Sequence, residues 1–268
     1  MKTRAITGFF FVGVMLASVL LGAYAFTLFF LVLSVLCTDE FYKLVSTEKV
    51  RPQRRWGIVL VISIYLPLSM YLFKGEPAMN ILICIPILTM ITVAELYRTY
   101  ENPFHNIAYT VFGVVFAALP FCFFYAMAFI EGEYSSDFPL GFLILLWASD
   151  TGAYIFGISF GKNKLFERHS PKKTWEGFAG GAITSLAAAY ILSQFYTGIS
   201  PAYWLGMAAI IVTAGSLGDL SESMLKRSLS TKDSGSLLPG HGGLLDRFDG
   251  LLLAAPLVFV YLQFIINY

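Results

Sequence analysis

Charge is scarce in this chain. Asp, Glu, Lys and Arg make up 13% of its 268 residues, about half the share usual in a soluble domain. Cysteine and histidine are scarcer still, at three residues each. The shortage of charge excludes a water-soluble fold. Hydrophobic residues are 57% of the chain and mean hydropathy is +0.71, so the bilayer is the natural solvent for that surface. Cys37, Cys84 and Cys122 all fall in apolar stretches. They lack metal-ligand spacing and read as small buried hydrophobes. No fixed-period repeat, low-complexity tract or heptad run interrupts the pattern.

What the chain has instead is long apolar runs. A helix crosses the hydrocarbon in about 20 residues. The run from Ala5 to Cys37 is too long for one straight span, and Gly22 is its natural break. Spans are therefore expected near 5–20, 23–47, 56–73, 78–100, 106–130, 138–158, 174–198, 201–229 and 245–267. The expected fold is an all-α, polytopic transmembrane bundle of about nine spans. Lys2 and Arg4 precede the first run, and no small-residue cleavage site follows it, so this span is expected to be retained. With the N-terminus in the cytosol and the C-terminus outside, all but Lys74 of the 18 basic residues fall in cytosolic segments, as the positive-inside rule asks.

Two halves differ in kind. Residues 1–137 are lipid-like helix with short connectors, and their role stays open. Residues 138–268 carry polar groups inside the spans and glycine-rich loops, so a catalytic region, if the chain has one, is expected there. Glu131, Glu133 and Asp137 form an acidic linker between the halves. Charges within spans are costly and usually functional. At about 1.5 Å rise per residue, Asp150 lies roughly 18 Å into a span entered from outside, and Asp219 roughly 27 Å. Asp246 and Asp249 open the last span from the cytosolic side. All four carboxylates then lie toward the cytosol, which suggests a cavity open on that side and not a proton path across the bilayer.

Spacing adds to this. Asp219, Glu222, Ser223 and Lys226 follow the i, i+3, i+4, i+7 pattern of one helix face. Asp246 and Asp249 are three apart and are expected to share a face as well. Acids from two helices, with no Cys or His set nearby, make an all-oxygen environment of the kind Mg²⁺ prefers. The bland alternative is that they only pair with Lys226, Arg227 and Arg247. Between the two helices runs a loop with Lys232, Asp233, Gly235, Gly240, His241, Gly242 and Gly243. Glycines let backbone N–H groups approach phosphate oxygens, so the loop reads as a polyphosphate cradle. A second basic loop ends Ser170-Pro171-Lys172-Lys173-Thr174-Trp175-Glu176-Gly177. Pro171 and Thr174 suit a helix start that favours anions. Lys172 and Lys173 would reinforce it, or would simply anchor the loop beside anionic headgroups. The basic run from Lys49 to Arg55 has no glycine or acidic partners and reads as topology signal.

The residues from Ser223 to Asp249, with Leu225-Lys226-Arg227, Lys232-Asp233-x-Gly235, Leu238-Pro239-x-His241-Gly242-Gly243 and Asp246-Arg247-x-Asp249, resemble the motif of the phosphatidate cytidylyltransferase (CDP-diacylglycerol synthase) family without departure. Ser149-Asp150-Thr151-Gly152-Ala153-Tyr154 and the segment 170–177 are similar to that family too, so the resemblance covers roughly 138–250. It implies transfer of a cytidylyl group from CTP to phosphatidate, giving CDP-diacylglycerol and pyrophosphate, with Mg²⁺ as cofactor and a second cation left open. On that reading Asp219, Asp246 and Asp249 would bind metal, and Lys226 and Arg227 would join them in catalysis. Ser223, Lys232, Asp233, Gly240, His241, Gly242, Gly243, Arg247, Asp150, Lys172 and Lys173 would contact substrates. The setting would be the cytoplasmic membrane, with the site facing the cytosol, phosphatidate in the inner leaflet and no nucleic-acid partner; a homodimer is left open. A CTP-dependent lipid kinase acting on a polyprenol, a cytidylyltransferase for an ether-lipid phosphate and an ion-coupled transporter are the rival readings.

Overall fold

The computed structural model describes residues 2–237 and 242–267. It is built from helices: α1 (Lys2–Leu20), α2 (Ala23–Val45), α3 (Arg54–Lys74), α4 (Cys84–Glu95), α5 (Pro103–Ala117), α6 (Leu119–Met127), α7 (Asp137–Phe160), α8 (Trp175–Phe195), α9 (Pro201–Ser228) and α10 (Asp249–Asn267). Among the described residues seven helical stretches are long and apolar enough to cross a membrane, from Arg54–Lys74 to Asp249–Ile266. Within α1, Gly8–Leu20 is a shorter apolar segment.

Local chemistry explains the breaks. Gly22 has φ of 94°, a left-handed conformation that most side chains resist, and it separates α1 from α2. The stretch expected as one span over 106–130 is bent: α5 ends and α6 begins around Ala118. Pro120 supplies no backbone N–H there, so the ladder must be interrupted. The stretch expected from 78 begins as a 3-10 turn, Ala78–Ile83, before α4.

The chain divides into two compact units. The first comprises Met1–Tyr134 and Asp233–Arg247. Its core is aromatic: Phe26 and Phe30 of α2 pack on Phe124 of α6, with Phe30 and Phe124 centroids 4.9 Å apart. A second patch joins Leu60, Val61, Ile91, Val114 and Ala118. The acids Glu95, buried, and Asp39, partly buried, are paired in this unit, as burial demands. Glu95 accepts hydrogen bonds from Gln53 Nε2, from Asn106 Nδ2 at 2.7 Å and from Arg98 at 2.7 Å. Asp39 pairs with Lys43 at 2.9 Å and also with Arg54.

The second unit comprises Ser135–Lys232 and Phe248–Tyr268. The chain passes from one unit to the other just after the acidic Glu131 and Glu133, while the glycine-rich segment Asp233–Arg247 groups with the N-terminal helices. Here α7 packs along α8, α8 along α9, and α9 along α10. Small residues set these distances, as is common where helices pack in lipid. A Cβ placed on Gly218 of α9 would stand 2.3 Å from the carbonyl oxygen of Asp249.

Between α7 and α8 the chain forms an antiparallel hairpin of two strands, β1 (Lys164–Phe166) and β2 (Ser170–Thr174). The expectation that Pro171 opens a helix is corrected: it lies exposed within β2. A proline is tolerated in so short a ribbon when its nitrogen faces outward. Thr174 does cap α8, accepting the amide of Gly177 at 3.1 Å, and Glu176 holds the hairpin base by accepting from the amides of Lys162 and Asn163.

Gly218→Ala should push α9 off α10. The thermal midpoint in detergent should fall by an amount reflecting about 1–3 kcal/mol of overpacking. Gly13→Ala, where nothing lies within 4 Å of an added Cβ, should leave it unchanged.

Candidate active site

Four charged side chains converge in the second unit. Asp219 sits on α9, and its Oδ2 lies 2.6 Å from Nζ of Lys173 on β2. Lys173 also donates to the carbonyl oxygen of Ser216 at 3.3 Å, one turn before Asp219. Asp150 on α7 and Asp249, the first residue of α10, stand within electrostatic range of Asp219, of Lys173 and of one another. One carboxylate thus touches the ammonium group and two more lie within electrostatic range of it, so carboxylates outnumber the lysine. Such a cluster is relieved by further positive charge, by hydrogen bonds to the acids or by a proton on one of them. Asp249 receives one such bond from the amide of Gly250 at 2.7 Å, and Asp219 Oδ1 receives another from Ser223 Oγ at 3.2 Å.

The strand alternation of β2 separates the two lysines. Lys173 turns inward to Asp219, while Lys172 is exposed. The face expected along α9 is present in its contacts: Ser223 meets Asp219, and Lys226 Nζ lies 3.3 Å from Glu222, whose side chain is fully buried. Arg227, at the end of α9, donates to the carbonyl of Thr231. Lys232 is exposed at the unit's edge.

The remaining motif residues belong to the first unit. Asp246 and Asp249 do not share a helix, contrary to their spacing. Asp246 lies in a 3-10 turn, Leu245–Arg247, and α10 starts only at Asp249. The turn closes through the Arg247 amide on the Leu244 carbonyl, which sets a tighter rotation than an α-helix. Asp246 Oδ2 accepts from the amides of Ser234 at 3.0 Å and Gly243 at 2.9 Å. Gly242, with φ of 82°, turns the chain beside it. Asp233 and Arg247 are exposed. The amides of Ser234, Gly243, Leu244 and Leu245 therefore turn inward, onto acids of the protein. Gly240 and His241 lie outside the described residues.

Sequence reasoning passed over Glu40. Its buried carboxylate accepts from Ser234 Oγ at 2.6 Å, Leu244 N at 2.8 Å and Leu245 N at 3.0 Å. The signal was available: an acid inside an apolar run is a functional hint by default.

The sequence pattern of the cytidylyltransferase family matches residues 2–265. The chain belongs to the cytidylyltransferase family. That match extends through the N-terminal half, well beyond the 138–250 stretch whose motifs carry the resemblance. Proteins named phosphatidate cytidylyltransferase are similar along the whole chain. That of Bacillus subtilis is 30% identical over 264 residues, covering 98% of this chain and 97% of its own length. That of Staphylococcus haemolyticus is 33% identical over 265 residues, covering 98% and 99%. That of Mycobacterium tuberculosis strain H37Rv reaches 42% identity over 163 residues, 60% of this chain and 48% of its own.

The donor set of this cytidylyltransferase fits Mg²⁺ in kind: oxygen ligands only, with carboxylates outnumbering the lysine. Among the described residues no three His, Cys, Asp or Glu side chains are gathered closely enough to hold an ion unaided. Mg²⁺ commonly takes one or two carboxylates and completes its octahedron with phosphate oxygens and water, so two of the three acids would suffice once a nucleotide is present.

The two adjacent lysines give a sharp contrast. Lys173→Ala removes the partner of Asp219 and should lower kcat/KM for CTP by about tenfold or more, the scale of a lost charge-assisted contact. Lys172→Ala should stay within about threefold, as expected of a solvent-exposed charge. Steady-state kinetics of both variants in mixed micelles checks this.

Proposed function

We propose that this chain is a phosphatidate cytidylyltransferase, with the cluster of Asp150, Lys173, Asp219 and Asp249 as its reaction centre. It transfers the cytidylyl group of CTP to phosphatidate, giving CDP-diacylglycerol and pyrophosphate. The observation that carries this reading is the likeness, along nearly the whole chain, to proteins of that name. The convergence of acids and a lysine from α7, β2, α9 and α10 supports the choice of centre.

The chemistry follows from charge. An oxygen of the phosphatidate phosphate forms a bond to the α-phosphorus of CTP. The bond from that phosphorus to the bridging oxygen breaks, and pyrophosphate leaves with the electron pair. The lipid phosphate is largely ionised at neutral pH, because the second ionisation of a phosphate monoester falls near pH 6. No strong general base is required. The obstacle is the approach of two anions, so electrostatic stabilisation and positioning are the tasks for the protein.

Asp219 and Asp249, with Asp150 within electrostatic range of them, would hold Mg²⁺; the motif also proposes Asp246, whose carboxylate is oriented within its own unit by the amides of Ser234 and Gly243. When bound, the ion neutralises phosphate charge and acts as a Lewis acid at the phosphoryl oxygens. A second cation is compatible with the excess of carboxylate. Lys173 is placed to exchange Asp219 for a phosphate oxygen as substrate enters. Ser223 steadies Asp219 meanwhile. Lys226, Arg227, Lys232 and Arg247 add positive charge that draws CTP from solution.

We place the N-terminus in the cytosol and the reaction centre toward the inner leaflet, with nine helical stretches crossing the membrane. The distribution of basic residues supports this orientation. A site at that depth suits both substrates, since CTP arrives from water while phosphatidate keeps its tails in the leaflet.

The test is an assay of purified protein with radiolabelled CTP, phosphatidate and Mg²⁺. Label should enter the lipid phase in step with pyrophosphate release, stop on addition of EDTA and resume with excess Mg²⁺. Release of CDP with no lipid-borne cytidine would identify a lipid kinase and overturn the reading.

A further inference from the structure

The carboxylate of Glu40 occupies an unusual place. It comes from α2, in the N-terminal half, and is 6% exposed. It meets the glycine-rich loop nearly two hundred residues later, within the same compact unit. Its Oε1 accepts from Ser234 Oγ at 2.6 Å and from Leu245 N at 3.0 Å, and its Oε2 accepts from Leu244 N at 2.8 Å. Consecutive amides pointing at one acceptor form the kind of concavity that proteins use for anions. Here the anion is internal.

The glycines around it are fitted to that acid. A Cβ on Gly243 would stand 2.2 Å from Glu40 Oε1, and one on Gly235 would stand 2.8 Å from Glu40 Oε2. These two glycines therefore serve a close approach to a carboxylate of the protein itself. Ser234 joins the acid of α2 to that of the loop: its hydroxyl goes to Glu40 and its amide to Asp246. Glu40 thus holds both ends of the segment, at Ser234 and at Leu244–Leu245, on either side of Asp246's own amide contacts.

We infer that Glu40 is a positioning residue for the transfer reaction: an internal anion that moulds the glycine-rich loop and so fixes the orientation of Asp246. The inference rests on the cytidylyltransferase reading and gives the N-terminal half a part in it. A carboxylate suits the task because it can accept at several lone pairs and donates nothing. Glutamine has the same shape but offers one oxygen. Its NH₂ group cannot accept from an amide, so Glu40→Gln must leave Leu244 or Leu245 without its partner.

The test is hydrogen exchange together with kinetics on the full-length protein in detergent. In Glu40→Gln, amides of Ser234, Gly243, Leu244 and Leu245 should exchange faster, while those of α7–α9 keep their protection. The kcat should fall roughly tenfold or more, the effect of losing a hydrogen bond to a buried charge, with KM for CTP changed less than threefold. Wild-type kcat, or unchanged protection of these four amides in a folded variant, would overturn the inference. Ser234→Ala is the second variant and carries the test if Glu40→Gln does not fold. It should lower kcat without changing the thermal midpoint by more than a degree or two; unchanged kcat would overturn the inference. Lipid labelling and pyrophosphate release by the wild-type protein read the underlying activity separately, so failure of either claim is distinguishable.

Discussion

The ion pair between Lys173 and Asp219 is the contact on which the rest of the candidate site depends. Around it the protein concentrates carboxylates where they are least comfortable, at the ends and within the bodies of apolar helices. Charge in such a place must be offset. One lysine against Asp150, Asp219 and Asp249 offsets it only in part. That imbalance distinguishes the cluster from the other polar groups of the fold. Glu95 is fully engaged by Gln53, Asn106 and Arg98, and Asp39 by Lys43 and Arg54. Those groups stabilise. The cluster at Asp219 instead retains an appetite for positive charge, which suits the entry of a nucleotide with its cation.

The scaffold serves that cluster by bringing its helices close. Gly218 lets α9 approach the start of α10 so that Asp219 and Asp249 can share a neighbourhood. The hairpin between α7 and α8, tied down by Glu176, delivers Lys173. Glu40, from the other half of the sequence, accepts hydrogen bonds from Ser234, Leu244 and Leu245 of the glycine-rich segment. On the proposed reading two sets of acids have different work: one meets substrate, and one shapes the chain.

Much of this was legible from residue order. Apolar runs located the helices, since hydrocarbon thickness fixes their length. Gly22 announced a break because of its backbone freedom. The i, i+4 spacing on α9 foretold the Asp219–Ser223 and Glu222–Lys226 contacts. Other features were hidden for physical reasons. Pro171 favours a helix start and an outward-facing strand position alike, so the hairpin was misread. The spacing of Asp246 and Asp249 implied one face, but the intervening 3-10 turn changes the rotation between them. Lys172 and Lys173 look equivalent in sequence, and only the strand's alternation tells them apart. Glu40 lies so far along the chain from Ser234 that no local pattern could join them.

The most direct test of this account is binding of CTP to Asp219→Asn, measured by calorimetry with Mg²⁺ present and with the fold checked by thermal unfolding. The account predicts a folded protein whose Mg²⁺-dependent affinity for CTP falls at least tenfold, about 1.4 kcal/mol. A variant that binds CTP with Mg²⁺ as tightly as the wild type, and turns over phosphatidate at the same rate, would contradict it.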